Sequence, residues 1–291
     1  MVKGKVENNL VGVVILYNPS EKNLDSILHN SKILDYLIIV DNSDKNLSHA
    51  DLLNCKDNIR LITLNKNLGI GRALNIGAEV ASGLNVEWLV TIDQDSELPL
   101  NYREVLDFIV SSTRKVGIVS PVHLRDGEVI ERVNFGKSDS AIVDSVMMSG
   151  NIINMQAFKE VGGFNEEFFI DYVDIEYCLR LKNIGYEIIL LKNTGIDHSL
   201  GESEWYKLGN LTLKPTNHSP LRRYYITRNR FSMIFNNNYT FHYKIYDIAR
   251  FFKELVYIII FEKNKFRKFK AIFLGLRDFR RKKFGKLSTK L

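Results

Sequence analysis

The sequence predicts an α/β fold: a mostly parallel sheet with flanking helices, followed by a C-terminal helical tail. Three observations carry this expectation. Short apolar runs rich in β-branched residues recur along the first two thirds of the chain, and stretches of helical periodicity lie between most of them. Strands alternating with helices build parallel sheets whose two faces are covered. The charge then changes sign: from position 242 to 291 there are 15 Lys/Arg against 4 Asp/Glu, or +11, which leaves 25 against 30, or −5, for residues 1–241.

The elements follow in order. "GVVILY" (12–17) is a buried strand by composition, and "LDYLIIVDNS" (34–43) repeats the pattern and ends in Asp41, Asn42 and Ser43. "IRLITLN" (59–65) is a third run, "EWLVTIDQDS" (87–96) a fourth and "VGIVSP" (116–121) a fifth. "GRALNIGAEVAS" (71–82) and "YREVLDFIVSS" (102–112) carry the clearest helical spacing. After about residue 140, "SVMMSGNIINMQAFKEVGGF" (145–164) reads as strand, helix and glycine turn, "DIEYCLRLKNIGY" (174–186) as a helix stopped by Gly185, and "EIILLKN" (187–193) as a strand. Residues 199–220 are polar and read as a long mobile loop, a length at which loops often act as lids.

Composition bounds the function. Of 291 residues, 45% are hydrophobic and 25% charged, the balance of a globular protein with a sizeable core. Cys55 and Cys178 form neither a disulfide framework nor a metal pattern, which suits a reducing cytosol. "MVKGKVENNL" has no apolar core of a signal peptide, and no apolar run approaches the roughly 20 residues of a membrane-spanning helix.

Polar groups fall at strand ends, where ligands of such sheets sit. Asp93 and Asp95 follow the apolar run 88–92 directly, and a charge so placed is costly unless something pairs with it. Hard oxygen donors of this kind suit Mg²⁺ or Mn²⁺ bridging to a phosphate, although aspartates also end many strands as ordinary turn residues. "NLGIGRALNIG" has Gly69 and Gly71 but Leu74 where a dinucleotide fingerprint needs its third glycine, and no P-loop is present. Phosphates here would need a metal to neutralise them. Asp171, Asp174 and Glu176 cluster at a helix start, where acids complement the helix dipole; Asp174 and Glu176 follow Phe168, Phe169 and Ile170, and a carboxylate partly desolvated in this way can instead act as a general base. His198 follows the last strand, at the head of the lid-like segment.

Taken together, "VVILYNP", "IIVDNS", "NLGIGRALNIG", "LVTIDQDS", "SGNIINMQAFKEVGGFNEEFFIDYVDIEYCLRLKNIGY" and "DHSLG" resemble, in order and over roughly residues 10–235, the inverting glycosyltransferases of family 2 with the Rossmann-like GT-A fold, and more narrowly the bacterial rhamnosyltransferase group. The resemblance implies that Asp41 accepts from the imide N–H of uracil or thymine and that Asn67, Gly69 and Arg72 line the nucleoside pocket. It further implies that Asp93 faces the ribose or the surroundings of the metal, that Asp95 and His198 bind Mn²⁺ or Mg²⁺, and that Asp174 is the catalytic base. This chain has Val173 where the family's Glu-Asp pair has its glutamate, so Asp174 and Glu176 both stand as candidates for the base. The implied reaction is metal-dependent transfer of L-rhamnose from dTDP-L-rhamnose to a glycan or lipid-linked acceptor in cell-surface polysaccharide synthesis. Another donor, UDP-galactofuranose or UDP-glucose, is the nearest alternative. A nucleotidyltransferase is disfavoured because "YNPSEKNL" stands where its basic glycine-rich loop would follow the first strand.

The tail divides the chain at about residue 240 into a catalytic domain (1–240) and a basic amphipathic segment (241–291). Phe266, Phe269, Ile272/Phe273, Leu276 and Phe279 recur at helical spacing among Lys and Arg, the pattern of a helix lying on an anionic bilayer, with packing on the domain as the rival. Arg222, Arg223 and Arg228 are read either as approaching the diphosphate or as a solvated basic face. The expectation is a cytoplasmic enzyme, peripheral at the inner membrane surface, with no nucleic-acid partner.

Overall fold

The computed structural model describes residues 9–45, 56–112, 114–125, 127–131, 133–197, 206–208, 211–213, 215–236 and 239–288. In chain order they form β1 (Val11–Leu16), α1 (Glu21–Ile33), β2 (Tyr36–Asp41), β3 (Ile59–Thr63), α2 (Ile70–Ser82), β4 (Trp88–Asp93), α3 (Glu104–Ser111) and β5 (Val116–Arg125). There follow β6 (Glu128–Val129), β7 (Ser140–Val143), β8 (Asn151–Asn154), α4 (Met155–Val161), α5 (Val173–Asn183), β9 (Glu187–Asp197), β10 (Tyr206–Leu208), β11 (Leu211–Leu213), α6 (Pro220–Ile234), α7 (Phe241–Ile260) and α8 (Lys265–Arg280).

One sheet carries the fold, in the order β3-β2-β1-β4-β8-β5-β9-β7, with β6 on β5. The first four strands in this order are parallel, and β1 and β2 are buried on both faces, as their unbroken apolar runs require. β8 then runs antiparallel between β4 and β5, and β9 returns parallel to β5. The register places Leu16 beside Asp41 and Ile15 beside Asp93. The acids ending β2 and β4 therefore flank the end of β1, two strand spacings or roughly 10 Å apart.

Three elements differ from the sequence reading. α1 is an additional helix, started by a reciprocal cap in which Ser20 and Asn23 satisfy each other's backbone N–H. β9 runs on to Asp197 rather than stopping at 193. The polar 199–220 stretch contains an antiparallel β10–β11 hairpin, which a loop reading overlooks because each arm is only three residues long.

The helices after residue 219 pack together. α8 lies so close along α6 that a Cβ on Gly275 would stand 2.7 Å from the Tyr224 carbonyl oxygen. Phe231 of α6 meets Phe251 of α7 and Phe279 of α8. The tail's four acids, Asp247, Glu254, Glu262 and Asp278, all turn inward. Arg223 donates to Glu254 (2.9 Å) and Glu262 (2.6 Å), Arg230 to Glu254 (2.8 Å), and Tyr224 to Asp278 (2.9 Å). Arg228 is enclosed too, donating to the carbonyls of Gly285 and Glu167 among the rings of Tyr224, Tyr225 and Phe284. This overturns both readings of Arg223 and Arg228: neither approaches a ligand at the sheet edge and neither is solvated. No helix among the described residues is long and apolar enough to cross a membrane.

Candidate functional site

At the end of β2, Asp41 is fully buried. Its Oδ1 accepts from the Ser43 backbone N–H at 3.0 Å, while its Oδ2 has no partner. A buried carboxylate oxygen without a donor is unfavourable unless a ligand supplies one. The neighbouring loop is built by amides: Asn42 Nδ2 donates to Asn67 Oδ1 (3.1 Å), the same oxygen accepts from Gly69 N (2.9 Å), and Asn42 Oδ1 accepts from Leu68 N (2.7 Å). Gly69 sits at φ 89°, and a Cβ there would meet the Phe169 carbonyl oxygen at 2.8 Å, so the position takes only glycine. Ile70 N donates to that same carbonyl at 2.8 Å, tying this loop to the one before α5. Arg72 points elsewhere: it pairs with Glu166 at 2.9 Å, with both side chains 42% exposed.

At the end of β4, Asp93 is half-buried and Asp95 exposed. The Asp93 backbone N–H donates to Ser149 Oγ at 3.1 Å, and Ser149's carbonyl oxygen lies 2.9 Å from Nε2 of the buried His123, whose Nδ1 contacts Glu131 at 2.6 Å. Burial pushes the Asp93 carboxyl up to about 6, the charges of Asp95 and Asp174 push the same way, and His123 and Arg222 oppose them. Asp93 thus lies within electrostatic reach of both Asp95 and Asp174, although Asp174 comes from a different element.

The loop before α5 explains how. Asp171 and Tyr172 both adopt left-handed backbone, at φ 64° and 71°. Non-glycine residues in that region are strained and need support from their surroundings. Asn229 Nδ2 of α6 supplies it, donating to the carbonyls of Ile170 and Asp171 at 2.9 Å each. Asp171 accepts from Arg222 at 3.0 Å, and burial still holds its carboxyl above the usual range. Asp174 is half-buried in the first turn of α5, where burial, with the charge of Asp171 adding to it, raises its carboxyl.

Glu176 is placed differently. It is 5% exposed and faces inward, paired with Arg180 through both oxygens at 2.7 and 2.8 Å. Arg180 also donates to the carbonyls of Val161 and Gly163, so the pair ties α5 to the turn after α4. Residues two apart on a helix point to different sides, so Asp174 and Glu176 do not share a ligand. The i,i+4 spacing to Arg180 was the sequence signal for this role.

Sequence reasoning missed His218. It stands just before α6, and burial beside Arg222 and Arg223, with Glu254 opposing, pulls its imidazole down to about 3. An imidazole depressed in the folded state favours folding above its unfolded value, near 6.5, and that contribution is lost as pH falls from there toward about 3. His218→Gln should therefore gain Tm relative to the native chain progressively as pH drops from about 7 to 4.5, read by thermal melts across pH. A difference that stays constant would show that His218 does not titrate this way. His198 lies outside the described residues.

Among the described residues, no three His, Cys, Asp or Glu side chains form a ready metal cage. An ion that also takes phosphate oxygens needs fewer protein ligands than a closed cage supplies.

Residues 13–133 match the family described as Glycosyl transferase family 2. With the similarity that follows, this match makes the chain a glycosyltransferase. Over most of its length this glycosyltransferase is also similar to the dTDP-rhamnosyl transferase RfbF of Shigella flexneri, 28% identical over 289 residues, which is 94% of this chain and 96% of that protein. Among solved structures it superposes on residues 1–349 of S. aureus TarS bound to UDP-GlcNAc with a TM-score of 0.60 at 15% identity, covering 93% of this chain and 80% of that one. The mannosyltransferase PcManGT from Pyrobaculum calidifontis, in complex with GDP-Man and Mn²⁺, gives 0.58 at 15% identity, covering 97% and 76%. The glycosyltransferase fold is thus the GT-A arrangement that the sequence predicts.

Proposed function

We propose that the enzyme transfers L-rhamnose from dTDP-L-rhamnose, with inversion, to a hydroxyl of a glycan or lipid-linked saccharide in cell-surface polysaccharide synthesis. The observation that carries this reading is that Asp93 feels the charges of both Asp95 and Asp174, at the same edge of the sheet as the buried, unpartnered Asp41 oxygen two strands away. The similarity to a dTDP-rhamnosyl transferase over 94% of the chain supports the choice of sugar.

Asp41 Oδ2 accepts the imide N–H of the thymine, and the Asn67–Gly69 loop lines the nucleoside. Arg72, held by Glu166, contributes less. Asp93 faces the ribose. Asp95, with His198, would hold Mn²⁺ or Mg²⁺, and the fit is chemical: the carboxylates are hard oxygen donors, and burial raises the Asp93 carboxyl to about 6 with the charges of Asp95 and Asp174 pushing the same way, negative charge that a cation would offset. A divalent cation bound there would neutralise the diphosphate and stabilise it as the leaving group. Asp174 takes the proton of the acceptor hydroxyl, whose oxygen forms a bond to the anomeric carbon while the bond to the diphosphate breaks and dTDP departs. Glu176 holds α5 in place through Arg180.

The test is rhamnose transfer from dTDP-L-rhamnose with Mn²⁺, then with excess EDTA. We expect turnover to fall by at least about 100-fold and to return with added Mn²⁺, since metal stabilisation of a leaving diphosphate is worth several kcal/mol. Undiminished turnover in EDTA would refute metal dependence. A second reading, a UDP-sugar donor such as UDP-galactofuranose or UDP-glucose, follows from the Asp41 contact, because uracil offers the same N–H. Thermal shifts with dTDP and UDP, each with Mn²⁺, separate the two.

A further inference from the structure

α7 presents two unlike faces. Its inner face carries Asp247, Glu254 and Ile258 against α6. Its outer face carries Phe241, Ile245, Ile248, Phe252, Val256 and Ile259, all exposed, from 39% at Ile248 to 78% at Phe241. Their spacings of 4, 3, 4, 4 and 3 residues keep them within one narrow stripe along the whole helix, about 27 Å long. α8 repeats the arrangement. Ala271, Ile272 and Gly275 are buried, whereas Phe266, Phe269 and Phe273 are exposed in steps of three and four residues.

Large apolar side chains aligned and exposed in this way call for a partner. The charges beside them say which one. All four acids after residue 240 point inward, so among the described residues the outward surface of this segment has no exposed side-chain carboxylate, while Lys253, Lys263, Lys265, Arg267 and Lys270 are exposed. A second copy docking through α7 would bring the like charges that flank the stripe together. An anionic lipid surface accepts both the rings and the ammonium groups.

We propose that the outer face of α7, with the exposed phenylalanines and cations of α8, docks the enzyme on an anionic lipid bilayer. The inner face of the same helix holds the active-site loop: Asp247 accepts from the hydroxyl of Tyr172, two residues before Asp174, at 2.8 Å. Docking thus sets the loop of the base beside the surface from which a lipid-linked acceptor would come. The docking itself does not depend on the transfer reaction.

The full-length protein is floated with vesicles of phosphatidylcholine alone and of phosphatidylcholine mixed with phosphatidylglycerol, and sedimented without vesicles to read its mass. We expect flotation with the anionic vesicles only, weakened by salt. Phe252→Glu with Val256→Glu should lower it by on the order of tenfold or more at unchanged Tm, because both side chains are exposed. Lys253→Glu with Lys270→Glu, also at exposed positions, should weaken it comparably, at about 1 kcal/mol or fivefold per charge. Failure of the native protein to float with anionic vesicles, equal flotation with neutral ones, or a dimer that Phe252→Glu dissociates would each overturn the proposal. Flotation without transferase activity leaves it standing and counts against the proposed function instead.

Discussion

Asp174→Asn is expected to lower kcat by about 10²–10⁴-fold while leaving donor binding and Tm close to native. The substitution keeps the shape and the acceptor oxygen that receives the Ile175 N–H at 2.8 Å, so α5 retains this contact. It removes the capacity to take a proton. The environment favours that role, because burial together with Asp171 holds the Asp174 carboxyl above its ordinary range, closer to the pH at which a base works best. The base must be ionised, so kcat/KM should rise with pH through that elevated value on the acid side. Steady-state kinetics and a dTDP thermal shift measure the two halves of the expectation. Glu176→Gln is the control. It leaves Arg180 with a neutral partner in a buried pair, so it should cost about 1–3 kcal/mol of stability and little in kcat beyond that. A variant pair with the reverse pattern, rate lost at Glu176 and retained at Asp174, would exchange the two roles.

The strand-end acids were legible because a strand has a simple grammar. An apolar run that stops at Asp41 or at Asp93 can only stop at the sheet's edge, and a parallel sheet gathers those edges on one side. The pairing that brings Asp174 there was not legible from spacing alone. It depends on left-handed backbone at Asp171 and Tyr172, residues with no glycine-like freedom, and on Asn229, some sixty positions away. The Glu176 ambiguity was resolvable in principle, since i and i+2 on a helix diverge and Arg180 stands at i+4. The arginines of α6 misled for a subtler reason. Their charge suggested phosphate or solvent, and a single helix gives no sign of a partner helix. Arg223 and Arg230 are seven residues apart, as are Asp247 and Glu254, and matching two-turn spacings of opposite charge are what two packed helices would carry. For the tail, counting net charge concealed the decisive fact. Its four acids all face the domain, so the surface that remains is more basic than the sum implies.

The second large effect concerns that buried network. Arg230→Ala should destabilise the protein by about 3–5 kcal/mol, a fall in Tm of roughly 10 °C, because it leaves an uncompensated charge in the interior. The stranded charge can be named. Glu254 keeps Arg223 at 2.9 Å and Arg250 at 3.2 Å after the change. Asp247 loses its guanidinium at 3.3 Å and keeps the Tyr172 hydroxyl, with the charge of the more exposed Arg250 the opposing cation that remains. With 2% exposure it has little water to turn to, and burial already raises its carboxyl even with Arg230 present. Neutralising Asp247 should therefore relieve the damage. Asp247→Asn in the Arg230→Ala background is expected to recover a large part of the lost Tm, whereas alone it should cost less than Arg230→Ala does. The four melting curves close a double-mutant cycle whose coupling term is the interaction between the two residues. Additive losses would mean that the charges do not depend on each other, and the inward-facing acids would then be incidental to the way the tail is held.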